Sequence, residues 1–545
     1  MKYFIISVIL ISSQLFPQDQ KNDSADLFSK TELEKHLSFL GSDSLKGRGT
    51  GTEGEMQAAL YIKDELEKTG LKPPAKNSFY QEIPLLGSTP LENSRLTFYK
   101  NEKSHEYKLN EDYLMYYTGE QTFIPNPIPL VFAGYGIIAP EFDYNDYQSV
   151  DVEGKIAVMI SGEPASNDPD YFNGERETIY SLTEAKQRLA ISRGASGCII
   201  IPYRDGWTDS DWEFFKKQFA FENVMLPYNV TNNLSLLFNP AKAGELFSGT
   251  GITLEEIYMM HNQNNIKSFP LDAELSFSGS FREREFISRN VIGIIEGNDP
   301  ELKDSYLIIS SHFDHLGVGP AVSGDSIYNG VFDNAIGAAA VLELAKAFKA
   351  AENKLKRSVI FLFLTGEEKG LIGSTFYVDH PAVPLYKTIA DINVDGIAVF
   401  DEFKSIVGVG ADYSELGNLL KETAEDLNLT ISSIPQQFQQ SESFYRSDQI
   451  IFAMAGIPSI LTMDGIDYKH LSEEEGLKKF LNYSRNIYHT PFDDLNQEIN
   501  LDASIQHIEF LYLMSYKLLT GYEIPEWKED SPFLNARLRS IAEKR

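Results

Sequence analysis

Cysteine is nearly absent from this chain, because Cys198 is the only one among 545 residues. A single thiol cannot form an intramolecular disulfide, so the fold must rely on its hydrophobic cores and on any metal ion that it binds. Cys198 lies in the apolar run GASGCIII. We therefore expect it to be a buried small hydrophobic residue and not a nucleophile.

Basic residues are scarce relative to acidic ones. The chain has 48 Lys and Arg against 79 Asp and Glu, which gives a formal net charge of −31. A partner such as nucleic acid or an anionic membrane requires a basic face on the protein. The charge balance therefore argues against both partners, although acidity by itself identifies no substrate.

A long hydrophobic run is also missing. The first residues, MKYFIISVILISSQLFPQDQ, carry one Lys and are mainly apolar from Tyr3 to Phe16, which is short for a membrane span. We interpret residues 1–18 as a cleaved secretory signal, with an uncleaved anchor as the alternative. This interpretation predicts an exported protein, periplasmic or extracellular, that keeps no stable membrane span after cleavage.

The length of the chain is too great for one hydrophobic core, so several domains are expected. Short strands and turns dominate from about residue 125, whereas strands and helices alternate from about residue 288. The predicted division is 1–18 for the signal, 19–124 for the start of the main domain, 125–265 for an inserted β-rich domain, 266–525 for the rest of the main domain and 526–545 for a C-terminal tail.

The second half of the chain contains nearly continuous apolar runs separated by helical segments. These runs are SYLIISSH, SVIFLFLTG, TIADINVDG, SIVGVG and PSILTMDG. Such runs suit parallel strands that are buried on both faces. We predict a doubly wound α/β fold with a mainly parallel sheet, a helix over Asn334–Ala350, and ligands gathered at the carboxyl ends of the strands.

Acidic, imidazole and phenol side chains are found at those strand ends or in the loops that follow. The candidate residues are His312, Asp314, Asp333, Glu367, Glu368, Asp395, Tyr488 and His489. Alternation along an extended segment places the first two on one side, where one can bind a metal and the other can orient it.

Each candidate also has an ordinary interpretation when it is taken alone. Asp333 stands where a helix N-cap is common, the pair Glu367-Glu368 can be solvated in a first helical turn, and His489 can be a loop residue. In combination, two imidazoles and three carboxylates from separate elements suit a pair of divalent cations with one bridging carboxylate. The remaining Glu is then free to act as a base.

The segments that carry these residues resemble the M28 family of metallopeptidases, the zinc aminopeptidase group. In chain order they are NVIGIIEG, SSHFDHLG, NGVFDNAIGAAAVLELAKAF, FLFLTGEEKGLIGS, NVDG, FYRSDQIIFAMAGIP and YHTPFDDL. The predicted insert, with VFAGYGI, DYNDYQSVDVEGKIAV and GASGCIII, resembles a protease-associated (PA) domain. The resemblance implies the phosphorylase/hydrolase-like fold of the zinc aminopeptidases.

The resemblance also implies a role for each candidate residue. His312 and Asp395 would bind one metal, Glu368 and His489 the other, and Asp333 would bridge them. Glu367 would be the general base, Asp314 would orient His312, and Tyr488 would donate to the oxyanion. The expected cofactors are two Zn²⁺ ions, with Co²⁺ or Mn²⁺ as substitutes, and the expected substrates are peptides or protein N-termini.

One departure from the family pattern is visible. Members often have Ser-Asp-His where this chain has Ser447-Asp448-Gln449. The position is outside the five implied ligands, so only a supporting or substrate role of that His is in doubt.

Several functions share these features. The resemblance favours a secreted metal-dependent exopeptidase, an aminopeptidase that hydrolyses N-terminal peptide bonds. The alternatives are a carboxypeptidase of the same fold, an enzyme that cyclises N-terminal glutamine with one zinc, and an inactive peptide-binding protein. A serine hydrolase is excluded because no G-x-S-x-G motif follows any predicted strand. The sequence leaves side-chain preference and oligomeric state open.

Overall fold

The computed structural model describes residues 27–74, 78–115, 122–168, 170–172, 174, 177–203, 207–229, 233–434, 444–521 and 523–544. The predicted signal, 1–18, lies outside these residues. Within the described ranges, every helix is too short or too polar to cross a membrane.

The helices are numbered in chain order. They are α1 Lys30–Leu40, α2 Glu53–Thr69, α3 Thr183–Ser192, α4 Asp209–Gln218, α5 Pro240–Phe247, α6 Leu254–Asn262, α7 Ile336–Ala350, α8 Ile372–Asp379, α9 Leu416–Asp426, α10 Gln449–Met454, α11 Glu473–Asn482, α12 Leu501–Thr520 and α13 Leu534–Ala542.

The strands are numbered in the same way. They are β1 Tyr80–Pro90, β2 Arg95–Lys100, β3 Lys103–Tyr107, β4 Tyr113–Met115, β5 Phe123–Phe132, β6 Ile138–Ala139, β7 Tyr144–Asn145, β8 Ile156–Ile160, β9 Gly197–Ile201, β10 Asn223–Met225, β11 Leu234–Phe238, β12 Phe269–Ser278, β13 Phe281–Ile295, β14 Tyr306–His312, β15 Gly317–Val322, β16 Asp325–Tyr328, β17 Ser358–Leu364, β18 Thr388–Asn393, β19 Ser405–Val409, β20 Thr430–Ile431 and β21 Ser459–Asp464.

The larger sheet has nine described strands in the order β10-β1-β13-β17-β14-β18-β21-β19-β20. Its central strands β17, β14, β18 and β21 run parallel, as predicted. The sheet is nevertheless mixed, because β13 and β19 run antiparallel to their inner neighbours. The predicted α/β fold class is confirmed. The run SIVGVG, expected as a parallel strand, is antiparallel because a buried strand is apolar in either direction.

Helix α7 packs against this sheet and against α1, α2 and α12. Its alanines at 338–340 are fully buried, so neighbouring backbones can approach closely. One buried polar residue, Glu343, accepts the backbone N–H of Ser29 at 3.3 Å, at the start of α1. This contact and the packing of α1 against α7 therefore hold the amino end of the described chain beside the helix that follows the candidate site.

Helix α2 has the boundaries that its sequence indicates. The side chain of Thr52 accepts the N–H of Glu55 at its start, and Gly70 ends it with φ 87°. A left-handed conformation of this kind is one that glycine adopts without strain. Ile62 and Leu66 are fully buried on its inner face.

A second sheet of eight described strands has the order β3-β2-β12-β5-β8-β9-β11-β4. Its strands come from residues 95 to 278. Some lie within the predicted insert 125–265, and others come before or after it. One strand from within that interval, β10, pairs instead with β1 of the larger sheet. The domain limits, and the assignment of this part as a PA domain, stay predictions.

Cys198 lies on β9 in the core of the second sheet and is fully buried. Its sulfur is 3.5 Å from the hydroxyl oxygen of Ser235. Burial raises the pKa of the thiol to about 11. A protonated, inaccessible thiol agrees with the expected role as a small hydrophobic residue.

Candidate metal centre

The candidate residues converge at the carboxyl ends of the parallel strands, as the fold class predicts. His312 is the last residue of β14, and Glu368 lies in the short turn Glu367–Lys369 after β17. Asp395 follows β18 by two residues, and His489 follows the turn Tyr483–Ile487. Three neighbouring strands and two loops therefore supply the cluster.

The turn before α7 is held by the side-chain amide of Asn334. Its Nδ2 donates to Ser311 Oγ at 3.0 Å and to the carbonyl of Val394 at 2.8 Å. Its Oδ1 accepts the N–H groups of Gly337 at 3.1 Å and Gly396 at 2.8 Å. One buried amide thus joins the end of β14, the loop after β18 and the first turn of α7.

Asp333 is not an N-cap of α7, which begins at Ile336. A second acidic residue, Asp493, accepts the backbone N–H groups of Phe332 at 2.9 Å and Asp333 at 3.1 Å. These contacts fix the backbone of the turn from outside. The carboxylate of Asp333 is therefore left to face the two histidines.

Asp333 lies between two groups of candidate ligands. Its Oδ1 is 3.3 Å from His312 Nε2, which is 3.1 Å from Asp395 Oδ1. Its Oδ2 is 3.2 Å from His489 Nε2, which is also 3.2 Å from Glu368 Oε2. All five residues predicted as ligands are thus brought together, and Asp333 has the central position that the resemblance implies.

His315 also belongs to this cluster, although it was not among the predicted site residues. Its Nδ1 is 2.6 Å from Glu368 Oε1 and 3.9 Å from Asp333 Oδ2. Ligand atoms of these three residues lie within 4.8 Å of one another, as do those of His312, Asp333 and Asp395. The available signal was the second His of HFDH, directly after Asp314.

The electrostatics of the cluster are those of closely spaced opposite charges. Burial opposes ionisation of Asp333, but its contacts with His312 and His489 outweigh burial and hold its pKa well below the usual range. Burial raises the pKa of Glu367 well above its ordinary value, and the charge of Glu368 adds to this effect against the opposing charge of His312. Asp333 therefore keeps its negative charge more readily than an ordinary aspartate, whereas Glu367 binds a proton more readily than an ordinary glutamate.

The cluster passes a simple test for a divalent cation. Within the described residues, His489 Nε2, Glu368 Oε1 and both ring nitrogens of His315 are buried without a hydrogen bond of acceptable geometry. Buried polar atoms in this state are costly unless a ligand satisfies them. Imidazoles and carboxylates are the donors that zinc, cobalt and manganese accept. The residues present therefore fit such an ion.

Asp314 connects three segments at this end of the sheet. Its Oδ2 accepts the hydroxyl of Thr50 at 2.9 Å, and its Oδ1 accepts the N–H of Glu367 at 3.1 Å. His312 Nδ1 is 3.3 Å from the carbonyl oxygen of Asp314 and 3.8 Å from its carboxylate. The nearer acceptor for His312 Nδ1 is thus the backbone carbonyl of Asp314 and not its carboxylate. Its role in orienting His312 stays a prediction.

The loop GSDSLKGRGTGTEG and the residue after it, Glu55, support the site. This supporting role was not predicted from the sequence. Glu55 Oε2 accepts the N–H of Gly51 at 2.7 Å, and its Oε1 accepts the hydroxyls of Ser288 and Thr365. Burial raises the pKa of Glu55 to about 7. Thr365 precedes the Glu367 turn by two residues, so this loop helps to fix that turn.

Arg48 in the same loop is fully buried and is bound by backbone carbonyls. Its Nε donates to Phe313 O at 2.7 Å, its Nη1 to Leu40 O and Asn329 O at 2.6 Å each, and its Nη2 to Gly330 O at 2.9 Å. Burial lowers the pKa of Arg48 to about 10. The guanidinium therefore joins α1 to the segment that follows His312 and to the turn that precedes Asp333.

We expect Arg48→Met to lower the free energy of unfolding by about 3–5 kcal/mol, because four buried carbonyls lose a charged donor at once. Chemical denaturation measures this change. The control is Arg95→Met, which alters an exposed arginine and should stay within about 0.5 kcal/mol of the unaltered chain. Equal stability of the two variants would contradict the assigned role of Arg48.

Gln449, the departure from the family pattern, is fully buried behind β18. Its Oε1 accepts from Asn393 Nδ2 at 2.8 Å, and its Nε2 donates to Phe444 O at 3.0 Å. Asn393 precedes Asp395 by two residues. The uncharged side-chain amide of Gln449 therefore supports the end of β18.

A cavity of about 980 Å³ opens onto the cluster. Among the predicted site residues, its lining includes Asp333, Glu367, Glu368, Asp395, Tyr488 and His489. The ring of Tyr488 stacks on that of His489 with centroids 3.8 Å apart. The cavity is large enough for a short peptide segment, and it brings such a ligand to the cluster.

Comparison with known proteins finds similar chains for the part that carries these residues. Residues 290–514 match the model of Peptidase family M28. A probable leucine aminopeptidase 2 from Aspergillus oryzae is 32% identical over 178 residues, which are 31% of this chain and 32% of that protein. Leupeptin-inactivating enzyme 1 from Streptomyces exfoliatus is 31% identical over 188 residues, 33% of this chain and 36% of that protein. The chain thus spans about a third of the length of these relatives.

A solved structure extends the likeness to the whole fold. The aminopeptidase from Aneurinibacillus sp. strain AM-1 has a TM-score of 0.55 and 18% identity, with 92% of this chain and 97% of that chain covered. At this identity the likeness concerns the fold alone. Fold and site together define an α/β protein with a candidate cation-binding centre at its strand ends. The part of the chain that carries this centre, residues 290–514, is the part that matches the model of Peptidase family M28.

Proposed function

We propose that this protein is a metal-dependent aminopeptidase that binds two divalent cations, zinc being the expected ion. The observation that carries the proposal is the position of Asp333, whose two carboxylate oxygens lie 3.3 Å from His312 Nε2 and 3.2 Å from His489 Nε2. One carboxylate between two imidazoles is the arrangement of a bridging ligand. His312 and Asp395 would complete one cation site, and Glu368 and His489 the other.

When bound, the cations would lower the pKa of water and polarise a peptide carbonyl. Glu367, on the cavity wall, is the proposed general base: it takes a proton from the attacking water and passes it to the leaving amine. Its backbone N–H is held by Asp314 at 3.1 Å, which fixes the turn that presents it. The other carboxylates of the cluster, Asp333, Glu368 and Asp395, are the proposed ligands.

Tyr488 is the proposed donor to the developing oxyanion. Its ring lies against His489 and its side chain lines the cavity. A phenol hydroxyl placed there can donate to an oxygen that gains negative charge during attack on the carbonyl.

The direction of cleavage rests on the relatives. The matching protein from Aspergillus oryzae is named a leucine aminopeptidase, and its name favours hydrolysis from the amino end. One observation favours the opposite direction, because Arg188 and Arg446 line the cavity and can bind a free carboxylate. Carboxypeptidase activity is therefore the second candidate.

Hydrolysis of an unblocked peptide beside the same peptide acetylated at its amino end tests the proposal. We expect cleavage of the free-amine peptide alone, abolished by a chelator and restored by zinc. The reason is that an acetyl group removes the positive charge of the terminus that an aminopeptidase recognises. The measurement is mass spectrometry of the products with time.

Two outcomes would contradict the proposal. Loss of residues from the carboxyl end of both peptides would keep the fold and metals but reverse the polarity. Failure of a zinc-loaded protein to cleave either peptide, while binding both, would favour the inactive peptide-binding alternative.

A further inference from the structure

His489 is oriented so that its two ring nitrogens face different surroundings. Nε2 points into the cluster, 3.2 Å from an oxygen of Asp333 and 3.2 Å from an oxygen of Glu368. Tyr488 covers one face of the ring, and the ring of His315 meets it edge-on with centroids 5.6 Å apart. Nδ1 is therefore the nitrogen that faces away from the proposed cation.

The group beside that nitrogen comes from a distant part of the chain. The side-chain amide of Gln218, the last residue of α4, places its nitrogen 3.4 Å from His489 Nδ1. The two residues are 271 positions apart. Gln218 lies between β9 and β10, in the stretch of the chain that forms most of the second sheet.

The position of Gln218 is fixed from both sides. Six residues before it, Trp212 is buried in the core of the second sheet and donates its Nε1–H to Glu111 O at 2.8 Å. Three residues after it, Phe221 meets the ring of Tyr328 with centroids 4.9 Å apart and lies under Lys369 Nζ at 5.3 Å. The segment that carries Gln218 is thus attached to the second sheet and to the rim of the metal centre.

The role of the Gln218 amide follows from the protonation state of a histidine that binds a cation. A neutral imidazole that binds a cation through Nε2 carries its proton on Nδ1 and needs an acceptor there. The oxygen and nitrogen of a Gln side chain exchange places by a half-turn of the terminal amide, and nothing else has to move. The comparable nitrogen of His312 already has an acceptor, the carbonyl of Asp314 at 3.3 Å.

We propose that Gln218 is the positioning residue of His489: its amide oxygen accepts the Nδ1 proton and holds Nε2 toward the cation. The second sheet thereby contributes to the affinity of one cation site. This inference rests on the proposed function, since it requires that His489 binds a metal. It assigns to this part of the chain a task at the metal centre in addition to lining the cavity.

Zinc affinity of the purified full chain tests the inference, measured by competition with a chromophoric chelator. We expect Gln218→Met, which keeps the length of the side chain but has no acceptor oxygen, to weaken one of the two zinc-binding steps by roughly 10- to 100-fold. The other step should not change, because His489 contacts only one site. Gln218→Glu should restore the weakened step, since a carboxylate accepts the same proton.

Two controls separate positioning from general stability. Glu213→Gln removes an exposed carboxylate on the same helix, where it pairs with Lys216, and should leave both steps unchanged. The thermal unfolding midpoint of the chelator-treated Gln218→Met chain should equal that of the unaltered chain, because the contact matters only with the ion present.

The outcomes are distinguishable. Equal zinc affinity of Gln218→Met and the unaltered chain, or a Gln218→Glu chain as weak as Gln218→Met, would overturn the inference and leave the proposed function intact. A lower unfolding midpoint of metal-free Gln218→Met would make the contact structural and would also overturn it. An unaltered chain that binds no zinc would overturn the proposed function and the inference with it.

Discussion

Glu367→Gln should lower the turnover number for a susceptible peptide by roughly 10²- to 10⁴-fold, the usual contribution of a general base. The amide has the shape of the carboxylate but cannot accept the proton of the attacking water. The backbone N–H that Asp314 accepts at 3.1 Å is unchanged, so the turn should keep its place. Zinc content should also be unchanged, because Glu367 is not among the proposed ligands.

Steady-state kinetics and elemental analysis of the same preparation measure both quantities. The matched control is Glu184→Gln, which neutralises another carboxylate that lines the cavity and should keep near-normal turnover. A normal rate in Glu367→Gln would exclude this residue as the base. Loss of zinc from that variant would make Glu367 a ligand instead.

Asp333→Ala should weaken the binding of both cations, and each by more than the 10- to 100-fold typical of losing a residue that only supports a ligand. The reason is geometric, because its two oxygens approach the nitrogens of His312 and His489 separately, at 3.3 Å and 3.2 Å. Asp493 contacts this turn only through the backbone N–H groups of residues 332 and 333. The turn should therefore keep its shape.

Zinc stoichiometry and stepwise affinity measure this effect, with circular dichroism to check the fold. Asp325→Ala, an exposed aspartate in the hairpin of β15 and β16, is the control and should bind zinc normally. Loss of a single zinc from Asp333→Ala would show that the carboxylate belongs to one site only. Unchanged binding would remove Asp333 from the ligand set.

The residues at the ends of strands were predictable because an α/β sheet places its ligands at the carboxyl ends of its parallel strands. His312, Glu368 and Asp395 each follow a buried apolar run, and parallel strands bring such ends to one edge. The helix after Asp333 was predicted over Asn334–Ala350, and the observed helix ends at Ala350 as predicted. Its start was displaced to Ile336, because the side chain of Asn334 organises a separate turn before it.

The supporting contacts were not predictable, since nothing local encodes them. Thr50 and Asp314 are 264 positions apart, and Gln218 and His489 are 271 positions apart. Both polar contacts join segments that are far apart in sequence and meet only in the folded chain. The Gly-rich loop around Arg48 has the composition of an ordinary connection, and its buried hydrogen bonds become visible only in three dimensions.

The position of β10 has a consequence for how a substrate enters. The chain leaves the larger sheet after β1, returns to it for β10, departs again for β11 and β12, and comes back at β13. If the two sheets moved apart and β10 moved with the second sheet, the backbone pairing between Asn223–Met225 and Leu86–Ser88 would be lost. We therefore expect a ligand to reach the cavity without separation of the two sheets.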